Sequence, residues 1–122
     1  MTSVKVFNKA KGDMGESIAL KFLRKQGFKI IETNYKAKMG EIDIIAKKDK
    51  CLHFIEVKYR QELRFGAGRD AVHSRKQRTI RNVANLYLIQ NKLQFKINAC
   101  FDVLEIHSIG GVDTIEHLVN CF

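Results

Sequence analysis

The stretch GEIDIIA at residues 40–46, followed after a polar segment by FIEVKYR at residues 54–60, decides the fold of this chain. Both runs are rich in β-branched residues and the segment between them is polar, so the stretch predicts a β-hairpin. Charged residues nevertheless interrupt both runs, at Glu41, Asp43, Glu56 and Lys58. Because Asp is depleted in strands and an unpaired buried charge is costly, these charges indicate a function.

The register of this hairpin determines which charges meet. If the loop contains only residues 49 and 50, Asp43 lies opposite Glu56, and Glu41 lies opposite Lys58. Directly opposed side chains have Cβ atoms about 5 Å apart, and like charges at that distance are destabilising unless a cation lies between them. A different loop length of the same parity would stagger these pairs.

Two converging carboxylates predict a divalent metal site. Mg²⁺ prefers oxygen ligands and completes its octahedron with waters and substrate phosphate. We therefore expect Asp43 and Glu56 to bind Mg²⁺ or Mn²⁺. A lysine beside such a metal, here Lys58, can orient or deprotonate a water or stabilise charge on a phosphate.

Asp43 followed by Glu56-Val57-Lys58 resembles the PD-(D/E)xK nuclease signature. From about Lys11 to Phe122 the chain resembles one branch of it, the YraN-type family of proposed endonucleases. The segments that carry this resemblance are Gly15-Glu16, Gln26-Gly27-Phe28, Asn34-Tyr35, residues 40–45, residues 56–60, Phe65-Gly66, Ala71-Val72, Lys76-Gln77-Arg78 and Phe101-Asp102-Val103. One departure is Cys100, at a position where the family usually has an arginine, so no guanidinium contact to phosphate is expected there.

The resemblance implies a restriction-endonuclease-like αβββαβ core with a mixed central sheet flanked by helices. It also implies a Mg²⁺-dependent endonuclease or phosphodiesterase acting on DNA, including branched, recombination or repair intermediates. In such a site Glu41, Glu16 and Gln77 would support Asp43, Glu56 and Lys58. Glu16 has a second interpretation, since Asp13 and Glu16 also match a helix-capping box.

The charge distribution indicates a nucleic-acid partner. The net charge is +9, and residues 58–81 carry eight Lys or Arg against two acids, whereas residues 97–122 carry four acids and no Lys or Arg. A basic region beside metal-type carboxylates favours a phosphate backbone over anionic lipid or a merely solvated surface. The residues expected to bind nucleic acid are Arg60, Arg64, Arg69, Arg75, Lys76 and Arg78.

Periodicity along the chain predicts a single α/β domain over residues 1–122. A helix is expected over Asp13–Gln26, a strand over Phe28–Tyr35, the hairpin next, and a second helix from Ser74. A strand is expected within Gln94–His107, followed by a short element over Thr114–Phe122. This order gives a mixed sheet with helices on its faces, and residues 1–11 are expected to be flexible.

The cysteines and histidines show no motif. Cys51, Cys100 and Cys121 are dispersed, which argues against a zinc site and, with their odd number, against a disulfide framework. The four histidines lack metal-ligand spacing and are expected to be ordinary core or surface residues. Asp102 is predicted to point away from Phe101 and to form a salt bridge, with metal ligation as the alternative.

Two further functions fit the same sequence. The first is a non-catalytic nucleic-acid-binding module with the same fold. The second, based on charge alone, is a basic protein that docks on RNA, ribosomes or membrane. We expect a cytoplasmic protein that binds DNA, or RNA, without a membrane partner, and a homodimer if two strands are cut.

Overall fold

The computed structural model describes residues 2–61 and 74–122, and the side chains of α1 from Met14 onward. Its elements are α1 (Thr2–Lys25), β1 (Lys29–Ala37), β2 (Gly40–Lys48), β3 (Cys51–Arg60), α2 (Ser74–Gln90), β4 (Asn98–Ile109) and β5 (Val112–Leu118). They form one five-stranded sheet in the order β1-β2-β3-β4-β5. Only β3 and β4 pair in parallel, and the other neighbours are antiparallel. The expected α/β class with an αβββαβ core is confirmed, and β5 is added at the edge.

The predicted hairpin register is confirmed where β2 and β3 are paired. Ile44 pairs with Ile55 and Lys48 pairs with Cys51, so the loop consists of residues 49 and 50. Asp49 has a φ of 55°, the left-handed conformation that Asp tolerates in tight turns. The short loop leaves one register available, and the apolar faces of both strands agree with it.

Within residues 2–61 and 74–122, one helix packs on each face of the sheet. Against α2 pack Ile42, Ile45, Leu52, Phe54 and Val103, together with the predicted helix residues Ile80, Val83, Ala84 and Tyr87. Against α1 pack Ile44, Ala46, Ile55, Leu104 and Ile106, together with Ala19, Leu23 and Phe28. Residues 102–106 of β4 are all buried, so this part of the strand is buried on both faces of the sheet.

The first helix begins earlier than the sequence predicted. It begins at Thr2, and Asp13 therefore lies inside the helix and cannot cap it. The capping-box interpretation of Asp13 and Glu16 is wrong, because residues 2–12 contain no proline and continue the helix in the N-terminal direction. The flexibility expected of residues 1–11 stays a prediction. Neither of the described helices is long and apolar enough to span a membrane.

Gly15 allows α1 to approach the end of β3 closely. A Cβ atom built on Gly15 would lie 2.7 Å from Cβ of Tyr59, and neither atom can rotate away. We expect Gly15→Ala to lower the free energy of unfolding by about 1–3 kcal/mol, as overpacking of a core does. Urea denaturation of this variant, with the exposed Ser17→Ala as control, measures the effect. A Gly15→Ala variant more stable than the parent would show that α1 can move away without cost.

Candidate metal and nucleic-acid site

Asp43 lies where β2 and β3 separate. The ladder between these strands ends at Ile44 and Ile55, one position before Asp43 and Glu56. Ile42 and Ile44 pack on opposite faces of the sheet, although residues two apart in a regular strand share one face. At this irregularity the backbone N–H of Val57 donates to Oδ2 of Asp43 at 2.8 Å. The carboxylate therefore replaces a backbone acceptor and is held at the opening between the strands.

The environment of Asp43 disfavours its charge. Burial and the nearby carboxylate of Glu56 raise the pKa of Asp43 from 3.8 to about 6, with a smaller contribution from Glu41. The hydrogen bond from Val57 and the charge of Lys76 lower the pKa but do not cancel the increase. At neutral pH two negative charges are thus held together at a cost, as expected from the sequence.

Glu56 is the centre of an ion-pair group. It is only 5% exposed, and its Oε1 lies 2.7 Å from Nζ of Lys76 and 3.7 Å from Nζ of Lys58. Together, Asp43, Glu56, Lys58 and Lys76 form what we call the acidic site. The sequence predicted the first three of these as one site, whereas it assigned Lys76 to nucleic-acid binding.

The two lysines of the acidic site respond differently to their surroundings. Burial lowers the pKa of Lys58, and the neighbouring charge of Lys76 lowers it further, against the attraction of Glu56. Burial also acts to lower the pKa of Lys76, but the hydrogen bond and charge of Glu56 outweigh it, so the pKa of Lys76 is raised. Lys58 is thus the lysine that gives up its proton more readily.

The first turn of α2 reaches the acidic site because Gly40 has no side chain. A Cβ atom on Gly40 would lie 2.5 Å from Cγ2 of Thr79, so α2 passes directly over the start of β2. The helix begins at Ser74 as predicted. Lys76 therefore reaches Glu56, and the partly buried Gln77 lies in the same turn.

The remaining predicted acids surround this position. Oε2 of Glu16 accepts a hydrogen bond from Nδ2 of Asn34 at 2.8 Å. Asn34 lies opposite Asp43 in the pairing of β1 with β2, since the flanking residues pair with Ile44 and Ile42. Glu16 is thus tied to the strand beside Asp43. Glu41 is exposed, and it is close enough for its charge to raise the pKa of Asp43.

Comparison with known proteins assigns the chain to a family. The model of the uncharacterised protein family UPF0102 matches residues 15–106, which include every residue of the acidic site. This chain belongs to UPF0102. A UPF0102 protein of Clostridioides difficile (strain 630) is 42% identical over 115 residues, covering 94% of this chain and 98% of the relative. One of Dictyoglomus thermophilum is 44% identical over 117 residues, with the same coverage of both chains.

Membership of UPF0102 confirms the resemblance to the YraN-type family. The family description and the relatives' names give no activity. The nuclease function therefore remains a proposal for this UPF0102 protein.

The predicted nucleic-acid-binding residues have three different environments in this UPF0102 protein. Arg75 and Arg78 are exposed in the first turns of α2. Arg60 is turned inward, with its Nε 4.0 Å from Oε1 of the buried Glu105, and Lys76 pairs with Glu56. The predictions for Arg64 and Arg69 lie outside the described residues. Of the predicted arginines that the structure describes, Arg75 and Arg78 are thus the two available to a phosphate backbone.

Sequence analysis missed an acid next to the acidic site. Glu105 lies opposite Lys58 in the register of β3 and β4, and its side chain is buried, with 3% exposure. Its Oε1 lies 2.6 Å from Nε2 of His107, and its Oε2 is buried without a hydrogen-bond partner among the described residues. The parallel pairing of β3 with β4 brings Glu105 close to Lys58, and no local sequence motif predicts this contact.

A second polar cluster lies on the α1 face of the sheet. Asp102 is fully buried, with Oδ2 2.7 Å from Nδ1 of His53 and 2.8 Å from Nε2 of His117, while Oδ1 accepts the backbone N–H of Asn120 at 2.8 Å. Burial alone would raise the pKa of Asp102, but these three hydrogen bonds lower it. Asp102 thus points away from Phe101, as predicted, toward two histidines. The choice between a salt bridge and metal ligation stays a prediction.

Two of the cysteines are not dispersed in space. Sγ of Cys51 lies 2.7 Å from Sγ of Cys100, although the two residues are far apart in the chain. Separation in the chain therefore does not mean separation in space for this pair, because the parallel pairing of β3 with β4 brings the two thiols together. The absence of a zinc site, inferred from the sequence, stays a prediction. None of the three cysteines forms a disulfide.

Proposed function

We propose that this protein is a divalent-metal-dependent phosphodiesterase that cleaves DNA as an endonuclease. The observation that carries the proposal is the acidic site itself. Two carboxylates, one with its pKa raised to about 6 and the other 5% exposed, meet beside two lysines where two strands separate. Placing two carboxylates together in a buried position lowers stability, so the arrangement is better explained by a function than by folding.

The donor set fits a hard divalent cation. Carboxylate oxygens are the ligands that Mg²⁺ and Mn²⁺ prefer, and the raised pKa of Asp43 means that added positive charge would stabilise the site. Asp43 and Glu56 would hold the ion. When bound, it supplies a water of lowered pKa and a positive contact for the scissile phosphate.

Lys58 is proposed to act on the water or the phosphate. It is 25% exposed, so its ammonium group is reachable from solvent yet partly desolvated. The lowered pKa of Lys58 makes the neutral amine more accessible at neutral pH, which suits a group that accepts a proton. In its charged form the same group stabilises the negative charge that develops on the phosphate.

Lys76 is proposed to exchange its partner when substrate binds. Its side chain is 45% exposed, and its Nζ lies 2.7 Å from Oε1 of Glu56, while it also contacts the side chain of Lys58. A cation at Asp43 and Glu56 would compete for the same carboxylate, and Lys76 could then turn to a phosphate oxygen. The position of Lys76 in the first turn of α2 supports this, since helix N-termini favour anions.

DNA is the proposed substrate because exposed arginines lie on the helix end beside the acidic site. Arg75 and Arg78 lie on the same helix end as Lys76, and the whole chain has a net charge of +9. Lys and Arg neutralise phosphates and release counterions, a contribution that does not depend on sequence. The basic region beside the acidic site therefore supports a polynucleotide rather than a small phosphate ester.

Replacing both Arg75 and Arg78 with Glu should weaken DNA binding without changing sequence preference, because phosphate contacts position the protein and do not specify bases. Each lost contact should reduce the slope of log affinity against log salt by roughly 0.9 on duplex DNA. Fluorescence anisotropy at several salt concentrations measures both effects. Lys76 is left intact, because its ion pair with Glu56 would confuse the result. The matched control is Lys92 and Lys96 to Glu, beyond the other end of α2, and equal losses in both double variants would place the DNA elsewhere.

The cleavage assay that tests the proposal uses linear, single-stranded, flapped and branched DNA with Mg²⁺ or Mn²⁺. We expect at least one substrate to be cut by the parent, with no cutting in excess chelator and none by Asp43→Asn. Cleavage that survives in Asp43→Asn would come from another site or a contaminant.

A specific observation favours a second function, a non-catalytic nucleic-acid-binding module. The ion pair between Glu56 and Lys76 at 2.7 Å satisfies part of the acidic charge without a metal. In that case the parent binds DNA with the same salt dependence but cuts none of the panel, and divalent metal leaves the affinity unchanged.

A further inference from the structure

The α1 face of the sheet carries a group of metal-ligand side chains that the acidic site does not use. Cys51, His53 and Cys100 each offer one ligand atom, and these atoms all lie within 4.8 Å of one another. We call these three residues the thiol–histidine cluster. Cys51 and His53 lie at the beginning of β3 and Cys100 lies on the neighbouring β4. Glu56 and Lys58, in contrast, lie further along β3 on the α2 side.

We propose that the thiol–histidine cluster binds a thiophilic divalent cation, Zn²⁺ or a close chemical equivalent. Two thiolates and one imidazole are a common zinc donor set, and three protein ligands leave the fourth tetrahedral position for a water or a small ligand. Mg²⁺ and Mn²⁺, the ions proposed for the acidic site, disfavour sulfur. The two sites thus select different metals.

The spacing of the cluster suits such an ion. The sulfurs lie 2.7 Å apart, closer than two unlinked sulfur atoms normally approach. On a zinc ion with bonds of about 2.3 Å they would lie about 3.8 Å apart. Rotation of the two side chains provides this separation, since both cysteines are only partly buried.

The surroundings of His53 match those of a metal-binding histidine. Such a histidine usually donates its other ring nitrogen to a carboxylate, which fixes the ring. Oδ2 of Asp102 lies within hydrogen-bond distance of Nδ1 of His53, at 2.7 Å. The same carboxylate is also hydrogen-bonded to His117 and to the backbone N–H of Asn120. The three hydrogen bonds hold the carboxylate of Asp102, and this carboxylate limits rotation of the His53 ring.

An entry path to the cluster is present. Cys51, His53 and His117 line a cavity of about 470 Å³, which Phe22, Phe28 and Lys48 also line. Solvent and a metal ion can therefore reach the cluster from the α1 side. The cavity also has room for an external fourth ligand, so the site need not be closed by protein alone.

The test is a titration of chelator-treated, fully reduced protein with Co²⁺, followed by competition with Zn²⁺. We expect thiolate-to-cobalt charge-transfer bands that saturate at one ion per chain, disappear on addition of Zn²⁺, and are absent from Cys51→Ser and Cys100→Ser. They should persist in Cys121→Ser, which keeps both thiols of the cluster, and in Asp43→Asn, which alters only the acidic site.

The parent titration is decisive even if a cysteine variant fails to fold. A folded, reduced parent without charge-transfer bands overturns the proposal, as does loss of the bands in Cys121→Ser. The group His53, Asp102 and His117 also has metal-ligand spacing, and His117→Gln separates it from the cluster. Cobalt binding without thiolate bands that is lost in His117→Gln would assign the metal to that group and contradict the proposal.

Discussion

Asp43→Asn should stabilise the metal-free protein by up to about 3 kcal/mol above pH 7 and by almost nothing near pH 4. The pKa of Asp43 is raised from 3.8 to about 6, and one pKa unit corresponds to about 1.4 kcal/mol. Below the unfolded value the carboxyl is protonated in both states. As the pH rises from the pKa of Asp43 in the unfolded state to its higher pKa in the folded state, the folded state keeps the Asp43 proton to a higher pH than the unfolded state does. The free energy of unfolding of the parent therefore falls over this pH range. Asparagine removes the repulsion, and its amide oxygen can still accept from Val57.

Urea denaturation of both proteins from pH 4 to pH 8, in the presence of chelator, measures this difference. Glu32→Gln, an exposed acid on β1, is the matched control and should show little change with pH. If Asp43→Asn is less stable than the parent above pH 7, the two lysines stabilise the charged form of Asp43 by more than burial and Glu56 destabilise it. The acidic site would then be an ordinary salt-bridge group.

Lys58→Met should reduce metal-dependent cleavage by about 10²-fold or more, while divalent metal binding is largely retained. Lys58 approaches Glu56 only at 3.7 Å, so removing it leaves the carboxylates free to bind a cation. The loss of a positioned proton-transfer or charge-stabilising group produces a rate effect of this size. Single-turnover cleavage, with metal binding measured separately, distinguishes the two contributions.

Lys58→Arg identifies which role Lys58 plays. Arginine keeps the positive charge but cannot give up its proton, so it should restore cleavage only if charge stabilisation is sufficient. The control is Lys47→Met, an exposed lysine at the far end of β2, which should cleave at the parental rate. Equal cleavage by Lys58→Met and the parent would remove Lys58 from the mechanism.

The fold was largely predictable because the hairpin is defined locally. A two-residue turn between two apolar strands fixes the register, and this places Asp43 next to Glu56 without any knowledge of the other strands. The stripe of α2 residues from Ile80 to Tyr87 was predictable for a similar reason. The start of α1 was not, because a capping motif at Asp13 carries no information about whether the helix continues upstream.

Side-chain contacts across the parallel strands β3 and β4 could not be predicted from the sequence. Alternation predicted that Asp102 points away from Phe101, but it could not show that His53 pairs with Cys100 in the sheet. The proximity of Cys51 to Cys100 and of Lys58 to Glu105 depends on that same pairing. The one local signal was parity, since Cys51 and His53, like Cys100 and Asp102, lie two residues apart and so share a strand face.

For Lys76 the helix was predicted correctly, but the contacts of its side chain were predicted only in part. The sequence placed it in the first turn of a helix and assigned it to phosphate binding. The close approach of Thr79 to Gly40 brings that turn over the carboxylates, and Lys76 pairs with Glu56 instead. A contact between a helix end and a strand depends on tertiary packing, which periodicity does not describe.

The binding of a hard divalent cation by Asp43 and Glu56 is tested most directly by thermal unfolding. The parent and Asp43→Asn are compared at about pH 8 in chelator and in Mg²⁺ or Mn²⁺. Binding to the native state stabilises it by RT ln(1 + [L]/Kd), so the melting temperature of the parent should rise with metal concentration. That of Asp43→Asn should start at or above the metal-free parent and stay nearly constant. A parent that does not respond to metal, or an equal rise in both proteins, would contradict the account.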